Sequence, residues 1–181
     1  VRSLPDERGY LVFAGLEQLL HYLTHLSFGK EQIDHLRNFP SWGQIPDSFF
    51  SYLESFRFSG DVHAMPEGTP FFANEPVVRI TAPLIEAQLV ETFLLSTLNF
   101  QTLVATKAAR ITEAAEDRSV FDFGFRRAHG PGAAMLATRA AMIGGCTGTS
   151  NVLAAKELGI PSVGTMAHSW VMAHETEKEA F

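Results

Sequence analysis

Four short stretches carry the residue types that do chemistry. "GTMAHSWVMAH" holds His168 between small or uncharged neighbours, directly after the apolar run "IPSVGTM". "DFGFRRAHGP" sets two aromatic rings, Phe123 and Phe125, beside the adjacent cations Arg126 and Arg127. "GGCTGTSN" supplies Gly144, Gly145 and Gly148 with hydroxyls at Thr147, Thr149 and Ser150, ahead of a helix start. Lys107 and Arg110, three apart, share one face of a helical stretch. An imidazole serves as a general base or a phosphoryl acceptor when neutral and positioned. Arginines and the N–H groups of a helix start suit an anion. Each signal has a plainer reading: a satisfied core histidine, paired structural arginines, a simple turn, a solvated lysine–arginine face. Together they favour a flat, negatively charged ligand beside a phosphate. "GGCTGTSN" is not a nucleotide P-loop, because no Lys follows its glycines.

These residues must be positioned by elements, and the hydrophobic pattern predicts them. "LVFAGLEQLLHYLTHLSFG" begins as a short strand and turns helical, with Leu16, Leu19, Leu20, Leu23 and Leu26 on one face. His21 and His25 stand four apart on it, a metal-type spacing without an acidic or Cys partner nearby. "PSWGQIP" reads as a loop, and Asp47 as the N-cap of a helix that turns Phe49, Phe50, Leu53 and Phe56 to the core. Short apolar runs between Gly60, Gly68, Pro70 and Pro76 read as strands. A long helix follows from "APLIEAQL". It is apolar on nearly all sides to about Val104, which predicts deep burial.

After the polar stretch "EAAEDRS" the pattern changes. "SVFDFG" reads as a strand, "GPGAAMLATRAAMIGG" as a small-residue helix, "CTGTS" as a loop before a second helix, and "IPSVGTM" as another strand. This order predicts βαβ units and a parallel sheet, whose loops at the strand C-termini carry the chemistry. "DFGFRRAHGP" and "AHSW" then share one rim.

Composition bounds the function. The 181 residues are 46% hydrophobic and 19% charged, as in an ordinary globular chain. A net charge of −6 disfavours nucleic acid as a partner. The single cysteine, Cys146, excludes an internal disulfide and fits a reducing, cytoplasmic setting. No apolar run reaches membrane-spanning length, and the first residues lack the layout of a signal peptide. "VRSLPDERGY" opens without Met, and "HETEKEAF" reads as a helix still running, so a piece of a longer protein is expected.

Over essentially its whole length the chain resembles the nicotinate phosphoribosyltransferase family. "FRRAHGP", "GTSNVLA" and "GTMAHS" carry the resemblance most specifically; "VRSLPDERGYLVFAGLEQLLHYL", "EPVVRITAPLIEAQLVETFLL" and "QTLVATKAARI" extend it through the first half. The resemblance implies an α/β fold: an irregular α/β barrel of the type II phosphoribosyltransferase kind, partial here, joined to an N-terminal α+β domain. Residues 1–117 correspond to that N-terminal domain with its long helices, and 118–181 to the first part of the barrel. It implies that nicotinate and 5-phosphoribosyl 1-pyrophosphate form nicotinate mononucleotide and pyrophosphate, in NAD biosynthesis. It implies coupled ATP hydrolysis through a phosphorylated histidine, Mg2+ on the pyrophosphate, and a homodimer with shared active sites. By motif, His168 resembles the phosphorylated histidine, Phe123 the residue stacking on the pyridine ring, and Arg126 the arginine on the phosphoribosyl group. Arg127, Gly148, Thr149, Ser150, Lys107 and Arg110 complete the expected substrate contacts, and no protein-held metal is expected.

Ser150 falls where nicotinamide-using relatives carry an aspartate. A carboxylate there would repel nicotinate, so the neutral hydroxyl favours the acid over the amide. Two alternatives remain: the nicotinamide-using relative, and a non-catalytic assembly module with the same fold. The later barrel strands and phosphate loops would follow Phe181.

Overall fold

The computed structural model describes residues 3–4 and 8–181. Of the opening "VRSLPDERGY", Val1, Arg2 and Pro5 to Glu7 lie outside the described residues. The chain divides into two compact units, Val1–Thr102 and Leu103–Phe181. The division falls within α4, the long helix described below.

The first unit is built on two small antiparallel pairs. β1 (Leu11–Val12) pairs with β3 (Pro70–Phe71), Leu11 opposite Phe71. β2 (Asp61–Ala64) pairs with β4 (Val78–Thr81) over four residue pairs. Between them run α1 (Leu16–His25), α2 (Lys30–Arg37) and α3 (Asp47–Glu54), with a 3-10 turn at Pro40–Trp42. α4 (Leu84–Ala115) is one unbroken helix of 32 residues.

Periodicity explains the packing. Leu19 and Leu23 of α1 are buried against Val90 and Leu94 of α4, with Leu16 and Leu26 half-buried beside them. Leu20, placed on the same face by spacing, is exposed. Ile33, Phe50 and Leu53 form a separate cluster under α2 and α3. Asp47 is not the N-cap of α3. Pro46 takes that place, and the Asp47 carboxylate ion-pairs with Arg37 of α2. The Arg37 guanidinium also lies 4.4 Å over the Phe50 ring, so α2 and α3 are tied by charge and by cation–π contact. α2 has no counterpart in the sequence reading, because "KEQIDHLR" has few apolar residues to mark its period.

Deep burial of α4 on all sides is not observed. Leu84 is 78% and Leu95 60% exposed, because this chain packs only one side of the helix. Val90 and Leu94 lie on the packed side.

Gly15 joins the first strand to α1. It has φ +105°, and a Cβ there would lie 3.2 Å from the Thr97 carbonyl oxygen and 3.3 Å from Leu98 Cα. The Glu67 carboxylate accepts from the Gly15 N–H at 2.6 Å and the Leu16 N–H at 3.0 Å, satisfying the first donors of α1 with a favourable charge. Gly15→Ala combines a left-handed backbone with this close approach. It is expected to lower stability by about 1–3 kcal/mol, read as a shift in the urea midpoint. An unchanged midpoint would show that α1 and α4 can separate freely.

The second unit holds a parallel pairing. β5 (Phe121–Asp122) pairs with β6 (Gly148–Thr149), and Thr149 makes a further parallel bridge to Ser162. α5 (Pro131–Ile143) connects β5 to β6, and α6 (Val152–Leu158) connects β6 to the Ser162 bridge. The βαβ order read from sequence is therefore present as a mixed α/β unit. Two details differ. Gly148–Thr149, expected as loop, is the central strand. "IPSVGTM", expected as a strand, contributes a single bridge, held by Thr149 N–H to Pro161 O at 3.1 Å and Val163 N–H to Thr149 O at 2.9 Å. A Gly-Thr pair has too little apolar surface to read as a strand. Gly is needed there because a Cβ at Gly148 would lie 2.8 Å from Pro161 O. α7 (His168–Met172) and α8 (Glu177–Ala180) end the chain, joined by the Trp170 indole donating to Ala180 O at 3.0 Å. The run "HETEKEAF" is thus helical only over this last short turn.

Candidate active site

Both parallel strands are two residues long, so the chain leaves the sheet at once at Phe123 and at Ser150. The segment after β5 tightens into a 3-10 turn, Phe125–Arg127, closed by the Arg127 N–H on Gly124 O at 2.9 Å. This turn and the end of β6 border a cavity of about 310 Å³, lined by Phe123, Phe125, Arg126 and Ser150. Phe123 and Phe125 are 43% and 47% exposed, so both rings present open apolar surface.

The cavity rests on a hydrogen-bonded floor. Ser150 N–H donates to Asp122 O at 2.9 Å, which joins the two strand ends. The Asp122 carboxylate accepts from Gly124 N–H at 2.8 Å, Thr138 Oγ1 at 2.7 Å and Thr149 Oγ1 at 3.0 Å. Asn151 caps α6 by accepting from Ala154 N–H at 3.2 Å. The Cys146 thiol lies above its ordinary pKa, first because it is partly buried and then because of the Asp122 charge. It is therefore a weak nucleophile near neutral pH.

Phe123, Arg126 and Ser150 are brought together, and Phe125 joins them. Arg127 is exposed, like Arg126, but lies outside the lining of this cavity. Four N–H groups of the expected anion nest are already engaged within the chain. Thr147 N–H donates to Val120 O, Thr149 N–H to Pro161 O, Ser150 N–H to Asp122 O and Asn151 N–H to Thr149 Oγ1. Gly148 and Thr149 are buried strand residues with packing duties, and Ser150 is the member of that stretch that borders the cavity. Lys107 and Arg110 are exposed on α4 and do not line it.

His168 does not end a buried strand. It opens α7, five residues beyond Val163, with an exposed side chain between exposed Ala167 and Ser169. Exposure removes the reading of a satisfied core histidine in this structure. Among the described residues no hydrogen-bond partner is recorded for its ring, and it is not in the lining of the cavity.

Asp122 is the residue beneath this cavity that the sequence reading did not single out. A signal was available: an Asp two residues before a Gly, at the end of a strand, suits a side-chain-to-backbone turn. Its two threonine donors lie 16 and 27 residues away in sequence and carry no local pattern.

Aromatic rings, a guanidinium and a hydroxyl at the carboxyl ends of parallel strands are the arrangement in which α/β folds hold small molecules. The comparisons carry this to a family. Residues 1–99 match the nicotinate phosphoribosyltransferase N-terminal domain model, and residues 119–180 the nicotinate phosphoribosyltransferase family model. The chain is 48% identical over 180 residues to nicotinate phosphoribosyltransferase pncB2 of Mycobacterium tuberculosis, covering 99% of this chain and 38% of that protein. It is 47% identical over 180 residues to the Bacillus subtilis nicotinate phosphoribosyltransferase, covering 99% of this chain and 36% of that one. The crystal structure of human nicotinic acid phosphoribosyltransferase superposes with a TM-score of 0.86 at 32% identity, over 95% of this chain and 35% of that one. The chain belongs to the nicotinate phosphoribosyltransferase family, and it spans between a third and two fifths of the length of these relatives.

Proposed function

We propose that this chain supplies the pyridine-binding part of a nicotinate phosphoribosyltransferase. The cavity between Phe123, Phe125, Arg126 and Ser150 carries this reading. An aromatic wall suits a flat pyridine ring, the guanidinium suits a carboxylate or phosphate, and the neutral Ser150 hydroxyl leaves room for the negative charge of nicotinate. In the reaction the pyridine nitrogen forms a bond to ribose C1, and the bond from C1 to pyrophosphate breaks. The ring nitrogen has a free lone pair, so no general base is needed. The site's task is to align the two reactants and offset charge as pyrophosphate leaves.

The finer features belong to the same reading. His168 accepts the γ-phosphoryl of ATP; exposure and small neighbours leave room for it. The parallel pairing of β5 and β6 is the opening of an irregular α/β barrel. A homodimer with shared sites and a cytoplasmic setting complete the reading, the latter supported by the lone cysteine. No helix among the described residues is long and apolar enough to cross a membrane. Among the described residues no three His, Cys, Asp or Glu side chains gather around one point. Mg2+ is commonly held by one or two carboxylates together with substrate phosphates. The ion is assigned to the substrate pyrophosphate, and no step is routed through it.

The direct test is to incubate the full-length protein with nicotinate and 5-phosphoribosyl 1-pyrophosphate. Nicotinate mononucleotide and pyrophosphate are expected in equal amounts; turnover of nicotinamide instead would overturn the substrate assignment. The cavity itself is tested by Phe123→Ala. It should weaken nicotinate binding by about 1–3 kcal/mol, the range for a flat base on an aromatic side chain. Arg126→Ala should instead weaken the phosphoribosyl substrate or the mononucleotide. Calorimetry that finds normal binding in both variants would move the site elsewhere.

A further inference from the structure

Asp122 does not line the cavity, yet both of its walls are tied to it. The Phe123–Arg126 wall is anchored where the Asp122 carboxylate accepts the Gly124 N–H at 2.8 Å. The Ser150 wall is anchored where the Asp122 carbonyl accepts the Ser150 N–H at 2.9 Å. The other carboxylate oxygen accepts the Thr138 hydroxyl of α5 at 2.7 Å and the Thr149 hydroxyl of β6 at 3.0 Å. We propose that Asp122 is a positioning residue, whose carboxylate sets the spacing between the aromatic–arginine wall and Ser150. What it positions them for rests on the pyridine-binding reading given above.

The chemistry favours this role. An ionised carboxylate only accepts, and three donors from three different elements converge on it. Such charge-assisted bonds are shorter and stronger than neutral ones. Thr138 is 1% exposed, so its hydroxyl has no water to turn to if the carboxylate is removed; the Thr149 hydroxyl, 0% exposed, would keep only the Asp122 carbonyl at 3.2 Å. β5 and β6 share only two residue pairs, so the ladder alone holds the strand ends weakly. Small errors in wall spacing matter, because productive alignment of two reactants tolerates little displacement.

The test uses the full-length protein with Asp122→Ala, Asp122→Asn and Thr138→Val. Asp122→Ala is expected to raise the KM for nicotinate about tenfold or more, with a smaller change in kcat. Asp122→Asn should stay near the wild type, because its amide oxygen still accepts the Gly124 N–H and its NH2 can donate to turned threonine hydroxyls. Thr138→Val keeps two of the three carboxylate bonds and should fall between them; it carries the test if Asp122→Ala does not fold. A merely structural role would lower thermal stability and leave the KM of the folded enzyme unchanged. Unaltered KM in Asp122→Ala and Thr138→Val, or no rescue by Asp122→Asn, overturns the proposal. Amide exchange at Ser150 is measured on the same samples. Its acceptor is the Asp122 main chain, which every variant retains, so faster exchange reports a displaced wall. If the wild type does not turn over nicotinate, the functional reading fails. Exchange at Ser150 then decides Asp122 alone: acceleration supports the positioning role, and an unchanged rate overturns it.

Discussion

His168→Asn in the full-length protein is expected to abolish phosphate incorporation from ATP while leaving the fold intact. The side chain is exposed at the start of α7, and no hydrogen bond is recorded for its ring among the described residues. Its removal therefore leaves no buried donor or acceptor unpaired, and thermal stability should not change. Asn keeps a polar side chain of similar reach but offers no nucleophilic ring nitrogen. In the wild type an imidazole nitrogen forms a bond to the γ-phosphorus and ADP departs; the variant has nothing to make that bond. Mononucleotide synthesis without ATP should survive in part, because pyridine attack on ribose does not use the imidazole. Labelled ATP and acid-labile phosphate give the readout. A variant that still takes up label moves the phosphorylated group elsewhere, and one that unfolds returns His168 to a structural role.

Ser150→Asp is expected to depress nicotinate use strongly. Ser150 borders the cavity beside Phe123, Phe125 and Arg126, so a carboxylate there would face the carboxylate of a ring held by those side chains. Two like charges about 4 Å apart repel by about 1 kcal/mol in water and about 4 kcal/mol in a partly desolvated site. That is a loss of roughly 5-fold to 1000-fold in kcat/KM. Nicotinamide carries no charge and can donate its amide hydrogens to the new carboxylate, so its use should fall less or rise. The measurement is kcat/KM for both pyridines. An unchanged value for nicotinate would remove Ser150 from substrate discrimination.

The difference between what sequence carried and what structure added is physical. Leu19 and Leu23 were legible because a helix repeats every 3.6 residues and the core selects one face. The βαβ order was legible because small-residue helices alternate with short apolar runs. Phe123 and Arg126 could be named together because both follow one strand; Ser150 joined them only through the family resemblance, since "CTGTS" shows no strand of its own ahead of its helix. Gly148–Thr149 was not legible as a strand. Its extended form is imposed by neighbours on both sides, not by its own side chains. The partners of "GGCTGTSN" were hidden for the same reason. Whether an N–H is free for an anion depends on carbonyls at Val120, Asp122 and Pro161, which no local pattern reveals. The setting of His168 was misjudged because "IPSVGTM" looks like a strand by composition, while only Ser162 pairs.

The shortness of β5 and β6 bears on how this unit avoids misfolding. Two residue pairs give the backbone little means to tell one alignment from the next. A slip of one position would turn every side chain to the opposite face. The Asp122 carboxylate would leave the Thr138 and Thr149 hydroxyls, and those fully buried groups would lose their acceptor. Each such orphaned donor costs on the order of 1–3 kcal/mol. The threonine–aspartate bonds thus set the correct alignment energetically apart from its neighbours.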